Sequence, residues 1–230
     1  MADTSVAEHG FAVAKVFPPR MVRASQADLS DHIDRVARAL HTPFARSRPE
    51  LPLAERLDEI AKTDRAYANL LRLAVLTDAH LGPALTNLAE DPVLKYEAER
   101  HAGRKLGDTT VRVRANLSAF PEHRHAWHSD VAIDDGSDCG RLSVTAWIPL
   151  MDTGPNSGGL EIAVGRQQAP FPHVRASDFH IEEDSLVNLP RATPTVAAGE
   201  VLFLDRFTPH RTLPNTGAAR FALVVWMKSA

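Results

Sequence analysis

The sequence predicts an α+β fold in which helices brace one face of a β-sandwich or barrel. Three observations predict it. The first hundred residues carry apolar positions at helical spacing, with a single strand-like run among them. From about residue 110 the chain turns to short runs rich in β-branched and aromatic residues. Gly and Pro clusters punctuate those runs: Gly154-Pro155, Gly158-Gly159, Ala198-Gly199 and Pro214-Asn215-Thr216-Gly217.

In chain order, Phe11 to Phe17 reads as a strand ended by Pro18-Pro19. Ser25 to Leu40 reads as a helix capped by Ser25 or Ser30, with Ile33, Val36, Ala37 and Leu40 on one face. Pro43 ends it, because the residue before a proline leaves the helical region. Leu53 to Ile60 is a second helix. Thr63 to Leu81 is a third, capped by Thr63 or Asp64, with Leu70, Leu73, Ala74 and Thr77 along its stripe. Two shorter helices open on prolines, Pro83 to Glu90 and Pro92 to Ala102, and Gly103 closes the second. Strands are expected over 110–117, 142–150, 160–164, 201–204 and 220–227, the first alternating with Arg112, Arg114 and Asn116 on one face.

The 230 residues are 44% hydrophobic and 24% charged, which suits one domain over 1–230: a mostly helical support over 1–105 and a β core over 106–230. A net charge of -3 gives no footprint for nucleic acid, and no basic run argues for a membrane surface. No run of about 18 apolar residues appears. The acidic N-terminus leads into no signal-like core, so the expected location is cytoplasmic. One cysteine, Cys139, excludes an internal disulfide and has no CxxC partner.

The chemistry centres on His128-Ser129-Asp130. In an extended segment residues i and i+2 project from one face, so His128 and Asp130 point at one spot. Alone the pair is weak in a chain with 11 histidines, and a surface pair in a polar loop explains it equally well. His210 offers a third ligand, and two His with one carboxylate suit Fe(II) while leaving positions open for a co-substrate and dioxygen. Ten residues on, Arg220 opens an apolar strand, where a charge is costly unless paired. No acid is adjacent in sequence, so a ligand carboxylate is its natural partner, with the Thr212 hydroxyl as a second donor.

Gly199-Glu200-Val201-Leu202-Phe203-x-Asp205, His210-x-Thr212-x-Pro214-Asn215 and Arg220, preceded by His128-x-Asp130, together resemble the phytanoyl-CoA dioxygenase-like Fe(II)/2-oxoglutarate oxygenases. The resemblance runs from about 110 to 228. It includes Ala146-Trp147-Ile148-Pro149-Leu150-Met151-Asp152 and the Asn156-Ser157-Gly158-Gly159-Leu160-Glu161 turn. It implies a double-stranded β-helix, a jelly-roll variant, with the N-terminal helices on the larger sheet. It implies that His128, Asp130 and His210 ligate iron, that Arg220 and Thr212 hold the distal carboxylate of 2-oxoglutarate, and that Trp147 and Asn116 line its pocket. Arg112 and Arg114 would reach co-substrate or substrate, with Arg166 and Arg206 as further substrate candidates.

The implied reaction couples oxidative decarboxylation of 2-oxoglutarate by O2 to hydroxylation or a related C–H oxidation of a small polar molecule. Ascorbate is a candidate reductant, and bacterial secondary metabolism, including antibiotic biosynthesis, is the expected setting. Asp130 excludes the halogenase variant, in which a smaller residue frees a position for halide. The family usually has Pro-Gly-Ser-His where this chain has Val164-Gly165-Arg166-Gln167, a departure that bears on the substrate. Residues 169–189, with His173, Arg175, Asp178, His180 and Glu182, are expected either as a lid or as a plain surface connection. His123 and His125 read as solvated, Trp226 as core, and Arg206 and Arg211 as touching substrate or solvent. Two rivals stand beside this reading. One is a non-redox cupin-like isomerase or hydrolase on the same ligands, and the other a ligand-binding jelly roll without catalysis.

Overall fold

A computed structural model describes residues 5–77, 82–132, 141–174 and 180–230. Cys139, Arg175 and Asp178 lie outside the described residues, as does the expected end of the third helix at Leu81. The helices are α1 (Val6–His9), α2 (Pro19–Ala39), α3 (Leu53–Thr63), α4 (Arg65–Thr77), α5 (Pro83–Ala89) and α6 (Pro92–Ala102). The strands are β1 (Phe11–Lys15), β2 (Leu106–Asn116), β3 (Leu142–Pro149), β4 (Leu160–Ala163), β5 (Arg191–Ala192), β6 (Glu200–Asp205), β7 (His210–Thr212) and β8 (Arg220–Ser229). None of the described helices is long and apolar enough to cross a membrane.

The strands form a five-stranded antiparallel sheet in the order β1-β6-β3-β8-β2 and a three-stranded sheet in the order β5-β4-β7. The large sheet is covered on both sides. Val113, Val144, Ala146, Ile148, Phe203, Phe221, Leu223 and Val225 pack with helix residues such as Leu29, Ile33, Leu57, Leu71 and Leu94. The other face turns Trp147, Leu202, Leu204, Ala222 and Val224 towards Leu160 and Ile162 of the small sheet. The result is the double-stranded β-helix, with the N-terminal helices bracing the larger sheet as the sequence led one to expect. Burial on both faces also explains why β3 is buried at every position, the polar Ser143 and Thr145 included.

The helical expectations need two corrections. Helix α2 starts at Pro19, six residues before Ser25, and Ser25 lies buried within it, donating its hydroxyl to the Met21 carbonyl at 3.1 Å. Neither Ser25 nor Ser30 is a cap. Pro18-Pro19 ends the strand and also opens the helix, since proline's fixed φ and missing N–H suit a first helical position. In α4 the buried face is Tyr67, Ala68, Leu71 and Val75, whereas Leu70 and Leu73 are 43% exposed. Both stripes have helical spacing on a helix that is apolar nearly all round, so period alone does not choose between them. Asp64 does cap α4, accepting the Tyr67 N–H at 3.0 Å. Asp91 caps α6 through the Val93 N–H at 2.8 Å, and Gly103 ends it in the left-handed region.

Candidate metal centre

The first ligand segment is held by the second. His128 and His210 form an antiparallel bridge, each N–H donating to the other's carbonyl at 3.0 and 2.9 Å. Their rings therefore come together, with centroids 4.3 Å apart. Asp130 begins a single 3-10 turn (Asp130–Ala132), and the Val131 N–H donates to the Arg206 carbonyl at 3.4 Å. His128, Asp130 and His210 are all buried, which sets aside the surface-pair explanation. One ligand atom from each lies within 4.8 Å of the others, and no other such cluster occurs among the described residues.

The hydrogen bonds leave the right atoms free. Carbonyls only accept, so His128 Nδ1 donates to Ala126 O at 2.7 Å and His210 Nδ1 to Thr208 O at 3.1 Å. In the neutral rings each Nε2 then keeps its lone pair, and each lies 3.8 Å from Asp130 Oδ1. Asp130 Oδ2 is occupied by the Thr145 hydroxyl at 2.6 Å, which leaves Oδ1 facing the two imidazoles. Burial, together with His210 alongside, holds the His128 imidazole well below the usual histidine range. Burial pushes the Asp130 carboxyl up, but His210, His128 and the Thr145 hydroxyl outweigh it and hold the group below the usual carboxylate range. Two neutral nitrogens and one carboxylate oxygen are the donor set a borderline dication takes, and the bonds behind them fix ring tautomer and orientation.

Beside this set stands Arg220, buried at 4% exposure. Its Nε donates to Gly158 O at 2.9 Å and one terminal nitrogen reaches Arg114 O at 3.5 Å. Its guanidinium carbon is 5.3 Å from the Trp147 ring centre. No carboxylate among the described residues pairs with it. Burial pushes Arg220 down to about 9, with Arg114 adding a like charge. A guanidinium keeps its proton in a protein, so this depression amounts to an unmet demand for an anion. Asn116 sits opposite Arg220 on β2 and donates to Leu213 O at 3.2 Å. Thr212 lies two residues past His210 on β7, on the same face. Trp147, Asn116 and Arg220 are thus gathered at one corner, with Thr212 next in the chain to Leu213, whose carbonyl Asn116 reaches.

Gly158 shapes that corner. Its φ is +69°, and a Cβ there would stand 2.6 Å from Asn116 Nδ2 and 3.5 Å from Arg220 Nε. Gly158→Ala is therefore expected to strain the turn, displace the Asn116 side chain beside Arg220 and weaken dicarboxylate binding by about tenfold, the loss of one charge-assisted hydrogen bond. Calorimetric titration with 2-oxoglutarate measures it, and unchanged affinity would show the corner to be slack.

The remaining candidates scatter. Arg114 is half-buried, its guanidinium 5.5 Å from the Trp226 ring centre. Arg112 is exposed and donates to the carbonyl of Val111. Arg166 and Arg206 meet away from the ligand atoms, in a small polar cleft with Arg104, Gln167, Gln168 and Asp205. Arg211 pairs with Glu161 at 2.6 Å and Glu183 at 3.3 Å and lies over Trp127, with 34% of its side chain open to solvent. Trp226 is not plain core, because its buried indole N–H helps to hold the Asp130 carboxyl down. His125 is open to solvent yet surrounded by protein, its ring 5.3 Å from that of His128. Burial and Arg114 push it down to about 4, as befits a group lining a mouth.

Two contributors carry no signal in the sequence. Thr145 is one, fifteen residues from the carboxylate it fixes. His173 is the other. Its Nδ1 donates to Phe171 O at 2.9 Å, so its Nε2 accepts the Ser129 N–H at 3.0 Å, between the two ligands of the first segment. Ile181 N–H reaches Trp127 O at 2.6 Å, and Phe171, Ile181, Leu186 and Leu189 pack around Trp127. The described parts of 169–189, expected as a lid or a surface connection, are therefore seated on the ligand segment. Burial holds the His173 imidazole below the usual histidine range, which keeps Nε2 free to accept. His173→Ala should weaken metal binding by roughly ten- to a hundredfold, as losing a group behind a ligand typically does. His173→Gln, whose amide oxygen also accepts, should recover part of it in a metal titration. Equal affinity in all three proteins would remove His173 from the centre.

The profile of the phytanoyl-CoA dioxygenase (PhyH) family matches residues 6–222. No curated protein matches the sequence. Among solved structures the chain is similar to the epimerase SnoN in complex with Fe3+, alpha ketoglutarate and nogalamycin RO, at 18% identity and a TM-score of 0.62, over 98% of this chain and 81% of that one. It is similar to EctD from S. alaskensis with 2-oxoglutarate and 5-hydroxyectoine, at 16% identity and a TM-score of 0.65, over 98% and 74%. It is similar to AviO1 from Streptomyces viridochromogenes Tue57, at 21% identity and a TM-score of 0.57, over 97% and 91%. At these identities the likeness is one of fold.

Proposed function

Because the chain belongs to the phytanoyl-CoA dioxygenase family, we propose that it is an iron(II)- and 2-oxoglutarate-dependent oxygenase acting on a small polar metabolite of bacterial secondary metabolism. His128, Asp130 and His210 hold the iron; Arg220 and Thr212 hold the far carboxylate of 2-oxoglutarate, against Trp147 and Asn116. The observation that carries this reading is Arg220. A guanidinium buried beside a His/Asp/His set, with no acid of its own among the described residues, asks for a dicarboxylate that reaches from metal to arginine. A non-redox metalloenzyme on the same ligands has no use for that arginine.

Iron(II), when bound, supplies the activation of dioxygen that turns 2-oxoglutarate into succinate and carbon dioxide and oxidises a substrate C–H bond, with ascorbate as a reductant that restores it. The chain's own part is position and dryness. The two Nδ1–H bonds to Ala126 and Thr208 aim both imidazoles at the same point. Thr145 turns Asp130 so that Oδ1 alone faces that point. The segment seated on Trp127 through Ile181 covers the ligand strand from outside. Asp130 favours oxygenation over halogenation, since it occupies the position a halide would need. Hydroxylation, ring closure, desaturation and epimerisation share these parts, and SnoN is an epimerase on this fold.

The test is reconstitution with Fe(II) under argon, followed by oxygen and 2-oxoglutarate, with succinate measured over a panel of candidate metabolites. Succinate formed only with Fe(II), and faster with a substrate, supports the reading. Metal-dependent turnover of a metabolite without succinate would replace it with the non-redox alternative.

A further inference from the structure

We propose that the substrate carries a carboxylate-like group with a single negative charge, and that Arg114 receives it. The inference rests on the reading of the centre as an iron and 2-oxoglutarate site. Strands β2 and β8 pair with Asn116 opposite Arg220, Arg114 opposite Ala222 and Arg112 opposite Val224. Ala222 and Val224 belong to the core between the two sheets. Asn116, Arg114 and Arg112 therefore stand on the face turned towards the ligand strand, one pleat apart. Asn116 marks the Arg220 corner. Arg114 stands one pleat on, and its aromatic neighbour is different: Trp226 at 5.5 Å, against Trp147 at 5.3 Å for Arg220. The two guanidiniums occupy separate places, and Trp226 is the ring whose N–H acts on Asp130.

Nothing in the described protein answers the Arg114 charge. Asp130 is the acid that acts on it, but Thr145 takes one of its oxygens and the two imidazoles face the other. His125 nearby is held neutral. Arg112 adds a like charge from the exposed end of the same face. Burial pushes the Arg114 guanidinium down even with Asp130 acting on it, the mark of a partly desolvated cation that Asp130 alone does not answer. The formal charges point the same way. A dication with Arg114 and Arg220 outweighs Asp130 and a dicarboxylate co-substrate by one positive charge. Even a half-buried charge is costly unless paired, and a guanidinium fork matches a carboxylate through two parallel hydrogen bonds. Exposed Arg112 would draw the same anion towards the mouth.

The test uses the full-length protein loaded with Fe(II) and saturating 2-oxoglutarate, without oxygen, titrated calorimetrically with benzoate, benzamide and inorganic phosphate. Benzoate is expected to bind at roughly millimolar Kd and benzamide not at all. Arg114→Gln should weaken benzoate at least about tenfold, the loss of a charge-assisted bond, with 2-oxoglutarate still taken up. Arg114→Lys, which keeps the charge but not the fork, should fall between them, and it serves if the glutamine variant does not fold. The proposal is overturned by benzoate binding equally to wild type and variant, by no benzoate binding to wild type, or by tighter binding of phosphate. Loss of 2-oxoglutarate uptake in Arg114→Gln overturns it differently, by placing Arg114 in the co-substrate site. Wild-type protein that takes up no 2-oxoglutarate brings down the oxygenase reading, and the proposal with it.

Discussion

Asp130→Ala is expected to lower iron affinity by more than about a hundredfold and to abolish succinate release. Among the described residues its Oδ1 is the one anionic donor in the cluster, facing the two imidazole Nε2 atoms. Removing a group merely behind a ligand costs up to about a hundredfold, and removing the charged ligand itself should exceed that. The metal-free protein should lose stability as well. His210, His128 and the Thr145 hydroxyl hold the carboxyl below the usual carboxylate range in spite of its burial, so its ionised form stabilises the fold above that range. Thermal unfolding of apo Asp130→Ala at neutral pH should therefore fall below that of the apo wild type, while iron stabilises only the wild type. Equal iron stabilisation of both proteins would remove Asp130 from the ligand set.

Arg220→Met carries the second large effect. Methionine keeps much of the side chain's volume and removes its charge. Truncating one partner of a buried, hydrogen-bonded charge pair costs about 2–5 kcal/mol, so 2-oxoglutarate affinity should fall by roughly thirty- to several-thousandfold. Iron affinity should stay, because among the described residues the Arg220 guanidinium bonds to the Gly158 and Arg114 carbonyls and to no ligand atom. The variant without co-substrate should be no less stable than wild type, since the buried charge that burial opposes is gone. Retained 2-oxoglutarate affinity in Arg220→Met would hand the clamp to another residue, with Arg114 the next to test.

Much of the centre was legible in the sequence because its parts lie in short, ordered motifs. His128-x-Asp130 needs only an extended backbone to share a face, and His210-x-Thr212 with Arg220 repeats that logic one strand later. Helices α3, α5 and α6 were legible because prolines and a glycine mark their ends. What escaped has a physical reason in each case. The α2 start hid in Pro18-Pro19, which serves two elements at once. The buried stripe of α4 hid in an excess of apolar residues. The two-residue β5 and the single-turn α1 are too short to show a period. His173 and Ser129 are 44 residues apart, and Thr145 and Asp130 are 15 apart; nothing in local spacing announces a hydrogen bond of that kind.

The segment from Trp127 to Ser129 is hydrogen-bonded along both of its edges, to His210 on one side and to His173 and Ile181 on the other. Loading the metal and seating the outer segment therefore draw on the same three residues. Whatever fixes one edge lowers the cost of fixing the other, and linkage requires the favour to be returned in equal measure. The Ile181 amide, shielded by the Trp127 carbonyl, then becomes a gauge of occupancy at a place no metal touches: its hydrogen should exchange with solvent more slowly once iron is bound, and faster in His173→Ala.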